Sequence, residues 1–183
     1  MPPLPKELKL SQEVARAANL TKIDLLSLHV ERNINSSIRV EDAEIRQSLG
    51  VERFAGEDPE HFGVIVKCVV EASEAPEGGE NNSKAEEGHP SSSNYFMSIE
   101  ISYLAVYRLR TGTKNFSDEQ LDCFSSLNVP INVWPYIREA IQNVTSRMGY
   151  PPLTLDFLKM VDLVKALKAV KAAGPDSFAV DKR

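Results

Sequence analysis

Two cysteines, Cys68 and Cys123, stand far apart in a chain of 183 residues and form no Cys-x-x-Cys pair. A disulfide framework and a zinc site are both unexpected, and two buried thiols are the simpler reading. No run of 18 consecutive apolar residues occurs, so no spanning helix and no direct membrane insertion are expected. The opening MPPLPKELKLSQEV lacks the charged region and apolar run of a secretory signal, which points to the cytoplasm. Positive charge is scarce: 21 Lys and Arg stand against 26 Asp and Glu, and no run of basic residues exceeds two. Without a basic footprint, no nucleic-acid partner is expected. Phosphate-cradling glycine motifs and a G-x-S-x-G nucleophile elbow are absent. His29, His61 and His89 have no metal-ligand partner at useful spacing. Neither a metal nor a cofactor is expected, and no catalytic constellation argues for an enzyme.

What is present suits one globular domain: 42% apolar and 26% charged residues can supply a core. Residues 1–10 are proline-rich, and Ser11 is the expected cap of a short helix reaching Ala18. Ile23, Leu25, Leu26, Leu28 and Val30 form a strand whose alternation slips at Leu25–Leu26. Such a slip marks a bulge, or a strand buried on both faces. Residues 41–54 read as a helical turn or a strand, with a short strand near Gln47–Phe54 preferred. Phe62, Val64, Val66, Cys68 and Val70 share one face of a further strand. Residues 74–94 contain no Ile, Leu, Val or aromatic residue, and five acidic residues face one basic one. A mobile acidic loop is expected there, joining two strands of a hairpin. The next strand, Tyr95–Leu109, alternates over 15 residues. That exceeds the usual ~3–10; a bend is expected, with burial on both faces near Leu104 and Val106.

The remainder reads as helical. Ser117 with Gln120 spells a capping box, and Pro130 ends or redirects the helix it opens. A second helix is expected from about Asn132 to Met148, burying Val133, Ile137, Ile141, Val144 and Met148. Pro135 would stand in its first turn and Gly149 at its C-terminal cap. Tyr150-Pro-Pro-Leu-Thr-Leu is a stiff connector. Asp156 then caps a last helix with Phe157, Val161, Val164 and Leu167 on its apolar face. The fold class is α+β: a four-stranded antiparallel sheet with C-terminal helices on one face and a short N-terminal helix. The domain should span 21–173, between a tail with helix at 1–20 and a tail at 174–183.

The unusual feature is apolar. Trp134, Tyr136, Met148, Tyr150 and Phe157 cluster with Pro130, Pro135, Pro151 and Pro152. Core packing accounts for some of these. The rest read as a groove for an extended apolar segment, with the proline-stiffened connector as one wall. Arg138-Glu139 is the nearest approach to an acid–base pair and reads as structural.

Asn132-Val-Trp-Pro-Tyr-Ile-Arg-Glu-Ala-Ile, followed by Thr145-Ser-Arg-Met-Gly-Tyr-Pro-Pro-Leu-Thr-Leu, resembles the signature of the SecB family. Arg147, Gly149, Pro151, Leu153 and Leu155 stand where that pattern wants them, and the match covers residues 130–158. The wording is most similar to SecB-like chaperones attached to toxin–antitoxin systems; the 74–94 insertion falls outside the pattern. The resemblance implies a cytoplasmic, ATP-independent holdase for unfolded proteins, assembled as a homotetramer, a dimer of dimers. Its clients would be preproteins handed to SecA in the export branch, or an antitoxin in the other. The implied client groove comprises Trp134, Tyr136, Tyr150, Pro151, Pro152, Leu153 and Leu155, extended by Met148 and Phe157. Ile137, Arg138 and Ile141 would serve the oligomer interface. The alternative is a dedicated interaction module with one fixed partner and no general chaperone activity.

Overall fold

The computed structural model describes residues 4–33, 43–56, 58, 60–74, 95–112 and 115–173. The elements run α1 (Lys6–Ala15), β1 (Ala18–Arg32), β2 (Ala43–Ala55), β3 (His61–Glu74), β4 (Tyr95–Leu109), α2 (Asp118–Leu127), α3 (Val129–Arg147) and α4 (Met160–Ala173). The strands form one sheet in the order β1-β4-β3-β2, every neighbour antiparallel. The expected α+β architecture is therefore present. The strands β1 and β2, consecutive in sequence, occupy opposite edges. Most of the expected acidic loop, residues 75–94, and the tail at 174–183 lie outside the described residues.

Alternation dictates the core. Val64, Val66, Cys68 and Val70 of β3 and Ile99, Ile101 and Ala105 of β4 have no exposed surface. They meet Leu127 of α2 and Val133, Ile137 and Ile141 of α3 in one cluster. Leu104 and Val106 point to the open face and are half-buried, so β4 is not buried on both sides. Its irregularity is a bulge: Ala72 pairs with Met97 but Ser73 pairs with Tyr95, leaving Phe96 as the extra residue. An extra residue breaks the two-residue period, and Phe96 and Met97 are accordingly both buried.

The strand β1 slips register between Leu25 and Ser27, as the broken alternation suggested, and again between Leu20 and Lys22. It is not buried on both faces. Leu20, Leu25, Leu28 and Val30 pair with inward-facing β4 residues yet remain between 37% and 50% exposed. The β4 residues they oppose, Tyr107, Tyr103, Ile101 and Ile99, are themselves buried. β2 is longer than expected and begins at Ala43.

Several helix boundaries differ from expectation. The first helix starts at Lys6 behind Pro5, and Ser11 is buried inside it rather than capping it. Its hydroxyl donates to Asn128 Oδ1, between α2 and α3. The capping box at Ser117 and Gln120 is formed as read. Pro130 sits in the first turn of α3, where its missing N–H costs nothing. Pro135 lies deeper inside that helix, so the Ile131 carbonyl has no helical donor. Val133, Ile137 and Ile141 are fully buried, and Val144 and Met148 half-buried. The last helix begins at Met160, so Asp156 does not cap it. Leu163, Val164 and Leu167 form its buried face, whereas Phe157 and Val161 are 72% and 55% exposed.

Candidate functional site

The site is built around the connector between α3 and α4. Gly149, at φ +83°, ends α3 in the left-handed conformation that glycine adopts without strain. Its N–H donates to Ser146 O at 3.1 Å, and the Tyr150 N–H donates to Thr145 O at 3.1 Å. These paired bonds are a Schellman closure, which turns the chain back along α3.

Residues 134, 138, 141 and 145 recur at helical spacing and so share one stripe of α3. From that stripe the connector is pinned by its main chain. Thr145 Oγ1 accepts the Leu153 N–H at 3.0 Å. Arg138 Nε donates to Leu155 O at 2.8 Å, and Trp134 Nε1 donates to Asp156 O at 2.9 Å. Across the sheet, Arg32 at the end of β1 donates to Met148 O at 2.8 Å. Both arginines also lie over aromatic rings: Arg32 is 4.9 Å from the Tyr150 centroid and Arg138 is 4.5 Å from that of Phe157.

So held, the connector leaves a groove of about 160 Å³ against the end of the sheet. Tyr150, Pro151, Pro152 and Leu153 form one wall; Ala43 and Ile45 of β2, Ala72 of β3, and Phe96 and Met97 of β4 form the other. The remaining lining residue, Thr145, spends its hydroxyl on Leu153 N–H and on the Ile141 carbonyl. Phe96 and Tyr150 meet across the groove at 5.7 Å between centroids. Cofactor and substrate pockets run roughly 300–1,000 Å³, so this space accepts single side chains of an extended chain rather than a whole small molecule.

The structure divides the expected groove residues. Tyr150, Pro151, Pro152 and Leu153 come together at the groove. Trp134 and Leu155 are each 4% exposed and belong to the core, where the indole serves as a pin. Met148 is half-buried and contributes its carbonyl. Tyr136 is 46% exposed, but on the side of α3 facing β1. There it borders a second, more open hollow of about 460 Å³ with Leu20, Ile23, Tyr107 and Asn132. Phe157 is 72% exposed at the far end of the connector, under Arg138. Of the residues expected at the oligomer interface, Ile137 and Ile141 have no exposed surface and pack the core of the chain, and Arg138 donates to the connector. Sequence reasoning missed Ala43, Ile45, Ala72, Phe96, Met97 and Arg32. Phe96 and Met97 did carry a signal, two adjacent apolar residues just before the alternating stretch Ser98–Tyr103.

Burial pushes the Cys68 thiol up to about 12. Burial also raises the Tyr103 and Tyr107 phenols, with Glu139 adding to the first and the Asn132 hydrogen bond opposing the second. Among the described residues no His, Cys, Asp and Glu gather to hold a metal, and no helix is long and apolar enough to cross a membrane.

The chain thus presents an α+β sheet with an apolar groove at its end, whose wall is pinned by its main chain. The family model for SecB, the preprotein translocase subunit, matches residues 26–169, and the chain belongs to that family, whose members are chaperones. The protein-export protein SecB of Dinoroseobacter shibae is 29% identical over 82 residues, 45% of each chain. The SecB-like chaperone Rv1957 of Mycobacterium tuberculosis is 33% identical over 60 residues, 33% of each chain. These alignments span less than half the length of either relative. The solved structure of Rv1957, in complex with a ChAD peptide from the HigA1 antitoxin, superposes with a TM-score of 0.63. It covers 84% of this chain and 100% of that one at 18% identity, a likeness of fold. The helix α1 and the first part of β1 precede the family match.

Proposed function

We propose that this chain is an ATP-independent, cytoplasmic holdase that binds extended, unfolded segments of other proteins in the connector groove. The observation that carries this reading is a slot lined mainly by apolar side chains, in which the buried Thr145 hydroxyl is already bonded within the chain. Such a site offers little polar readout and selects for greasy side chains rather than for a sequence. Two client sources fit the relatives: a preprotein awaiting export and an antitoxin.

The exposed inner face of β1 supports self-assembly. An edge strand presents unpaired N–H and C=O groups and is a template for a second chain. Five large apolar residues of β1 are more than a third exposed, beside the hollow under Tyr136. A second copy covering this edge would remove both from water, giving a dimer and, by pairing of dimers, a tetramer.

The test is light scattering coupled to size exclusion, on the chain alone and after dilution of a urea-unfolded, slow-folding client without ATP. A tetramer that carries client mass, and exchanges one client for another, is the expected result. A species that ignores unfolded chains overturns the holdase reading. One that retains a single partner against all competitors establishes a dedicated interaction module instead.

A further inference from the structure

The hollow under Tyr136 differs in chemistry from the connector slot. Its volume is about 460 Å³, within the ~300–1,000 Å³ of small-molecule pockets. Among the described residues no charged side chain lines it. Half of its wall, Ala15, Ala18, Asn19, Leu20 and Ile23, comes from the end of α1 and the start of β1. These residues precede 26, where the family match begins, so membership of the family does not account for them.

The opposite wall is one stripe. Phe124, Asn128, Asn132 and Tyr136 recur every fourth residue across the junction of α2 and α3. The helical bonds run on through that junction, from Asn128 N to Phe124 O at 2.8 Å and from Asn132 N to Asn128 O at 3.1 Å. Residues so spaced are neighbours on a helix face. Behind them lies Tyr107, 1% exposed, its ring edge-on to Phe124 at 5.1 Å between centroids. The polar groups of this stripe are only partly used. Asn132 Nδ2 donates to the Tyr107 hydroxyl at 2.9 Å, but the hydrogen of that hydroxyl meets no acceptor among the described residues. Asn128 Oδ1 accepts the Ser11 hydroxyl, which leaves the Nδ2 hydrogens unspent. Asn132 Oδ1 receives no donor among the described residues. Two unspent donors and one unspent acceptor thus stand beside aromatic rings, with no charge among them.

We infer that this hollow binds a small neutral molecule, a planar amide carried on an aromatic ring. The amide oxygen accepts from the Tyr107 hydroxyl and Asn128 Nδ2, the amide nitrogen donates to Asn132 Oδ1, and the ring packs against Phe124 and Tyr136. A purely apolar ligand would cover the unspent groups without pairing them, which is costly. An anion would find no cation in the wall and a chain of net charge −5 around it. The inference does not rest on the connector groove.

Ligand-observed NMR on the whole chain tests it with three probes of one shape: benzamide, acetophenone, which lacks the donor, and benzoate, which is charged. Benzamide should bind in about the millimolar range. Acetophenone should bind about fivefold more weakly, the share of one hydrogen bond, and benzoate at least about tenfold more weakly. Tyr107→Phe should weaken benzamide about fivefold. Asn132→Leu should bring benzamide down to the level of acetophenone, a change that mere loosening of the fold would not single out. Ala18→Phe and Leu20→Trp fill the hollow in two independent ways, and each should abolish binding, with thermal melts confirming that the variants fold. No benzamide binding at ~20 mM, as when a second copy fills the hollow itself, overturns the inference. Benzoate binding as well as benzamide, or benzamide binding that survives both filling variants, does the same.

Discussion

Thr145→Val tests the connector's attachment with the least change of shape. The hydroxyl is 1% exposed, donates to Ile141 O at 3.0 Å and accepts the Leu153 N–H at 3.0 Å. Valine keeps the volume and removes the acceptor. Ile141 O loses little, because its helical donor remains. Leu153 N–H instead faces a methyl group in a half-buried wall, and an orphaned donor costs about 1–3 kcal/mol. The added methyl returns part of that, leaving a net loss of about 1–2 kcal/mol. For a chain of this size each kcal/mol moves the melting temperature by about 2–4 °C, so a fall of about 2–8 °C is expected by calorimetry at fixed protein concentration. Amide hydrogen exchange supplies the local readout: Leu153 should lose protection in the Val variant and keep it in Thr145→Ser. A Val variant that melts with the parent and keeps Leu153 protected would refute the claim that Thr145 holds the groove wall.

Gly149→Ala places a Cβ at φ +83°, which costs about 1–2 kcal/mol. It should lower the melting temperature by several degrees, and an unchanged melt would remove the tight return from the account. Leu28→Lys puts a charge on the exposed inner face of β1, where Leu28 is 41% exposed. Light scattering should show a smaller assembly than the parent, and an unchanged mass would mean that copies do not meet there. Trp134→Phe loses the bond to Asp156 O at 2.9 Å. That should cost about 0.5–1.5 kcal/mol and weaken peptide binding by calorimetry, since the connector loses a pin. Cys68 is 0% exposed and its thiol is pushed from 9.0 to about 12 by burial. The folded chain keeps a proton that the unfolded chain releases above pH 9, so this contribution to stability is whole below pH 9 and is lost as pH rises toward 12. A thiol-reactive disulfide at pH 8 should label neither cysteine until urea is added; rapid native labelling of Cys68 would contradict its burial.

The legible parts of this fold are those whose information is local. Alternation through Val64 to Val70 and through Ile99 to Tyr107 specifies strands by itself, and the Ser117–Gln120 spacing specifies its own helix start. Ser11 looked the same to a local reading, but its hydroxyl answers to Asn128, more than a hundred residues on. Trp134 presented the same ambiguity at the site. An indole beside prolines reads as a sticky surface, yet the stripe it shares with Ile141 turns it inward to Asp156. The connector wall was legible because Tyr150-Pro-Pro-Leu is contiguous. The opposing wall was not, because it assembles from three strands whose register only the folded sheet sets. Arg32 is the extreme case: nothing near it in sequence marks it as a partner of Met148 and Tyr150.

Every pin on the connector fastens to a carbonyl or an amide, atoms that all residues possess. The attachment is thus separate from the side chains the strap displays, apart from proline at 153, which lacks the N–H that Thr145 accepts. Positions 151 and 153 carry the proline and leucine that the SecB resemblance expects, so the freedom falls on the intervening Pro152. A lineage could reshape the slot by rewriting that one letter on a strap whose buckles lie elsewhere, at 32, 134, 138 and 145.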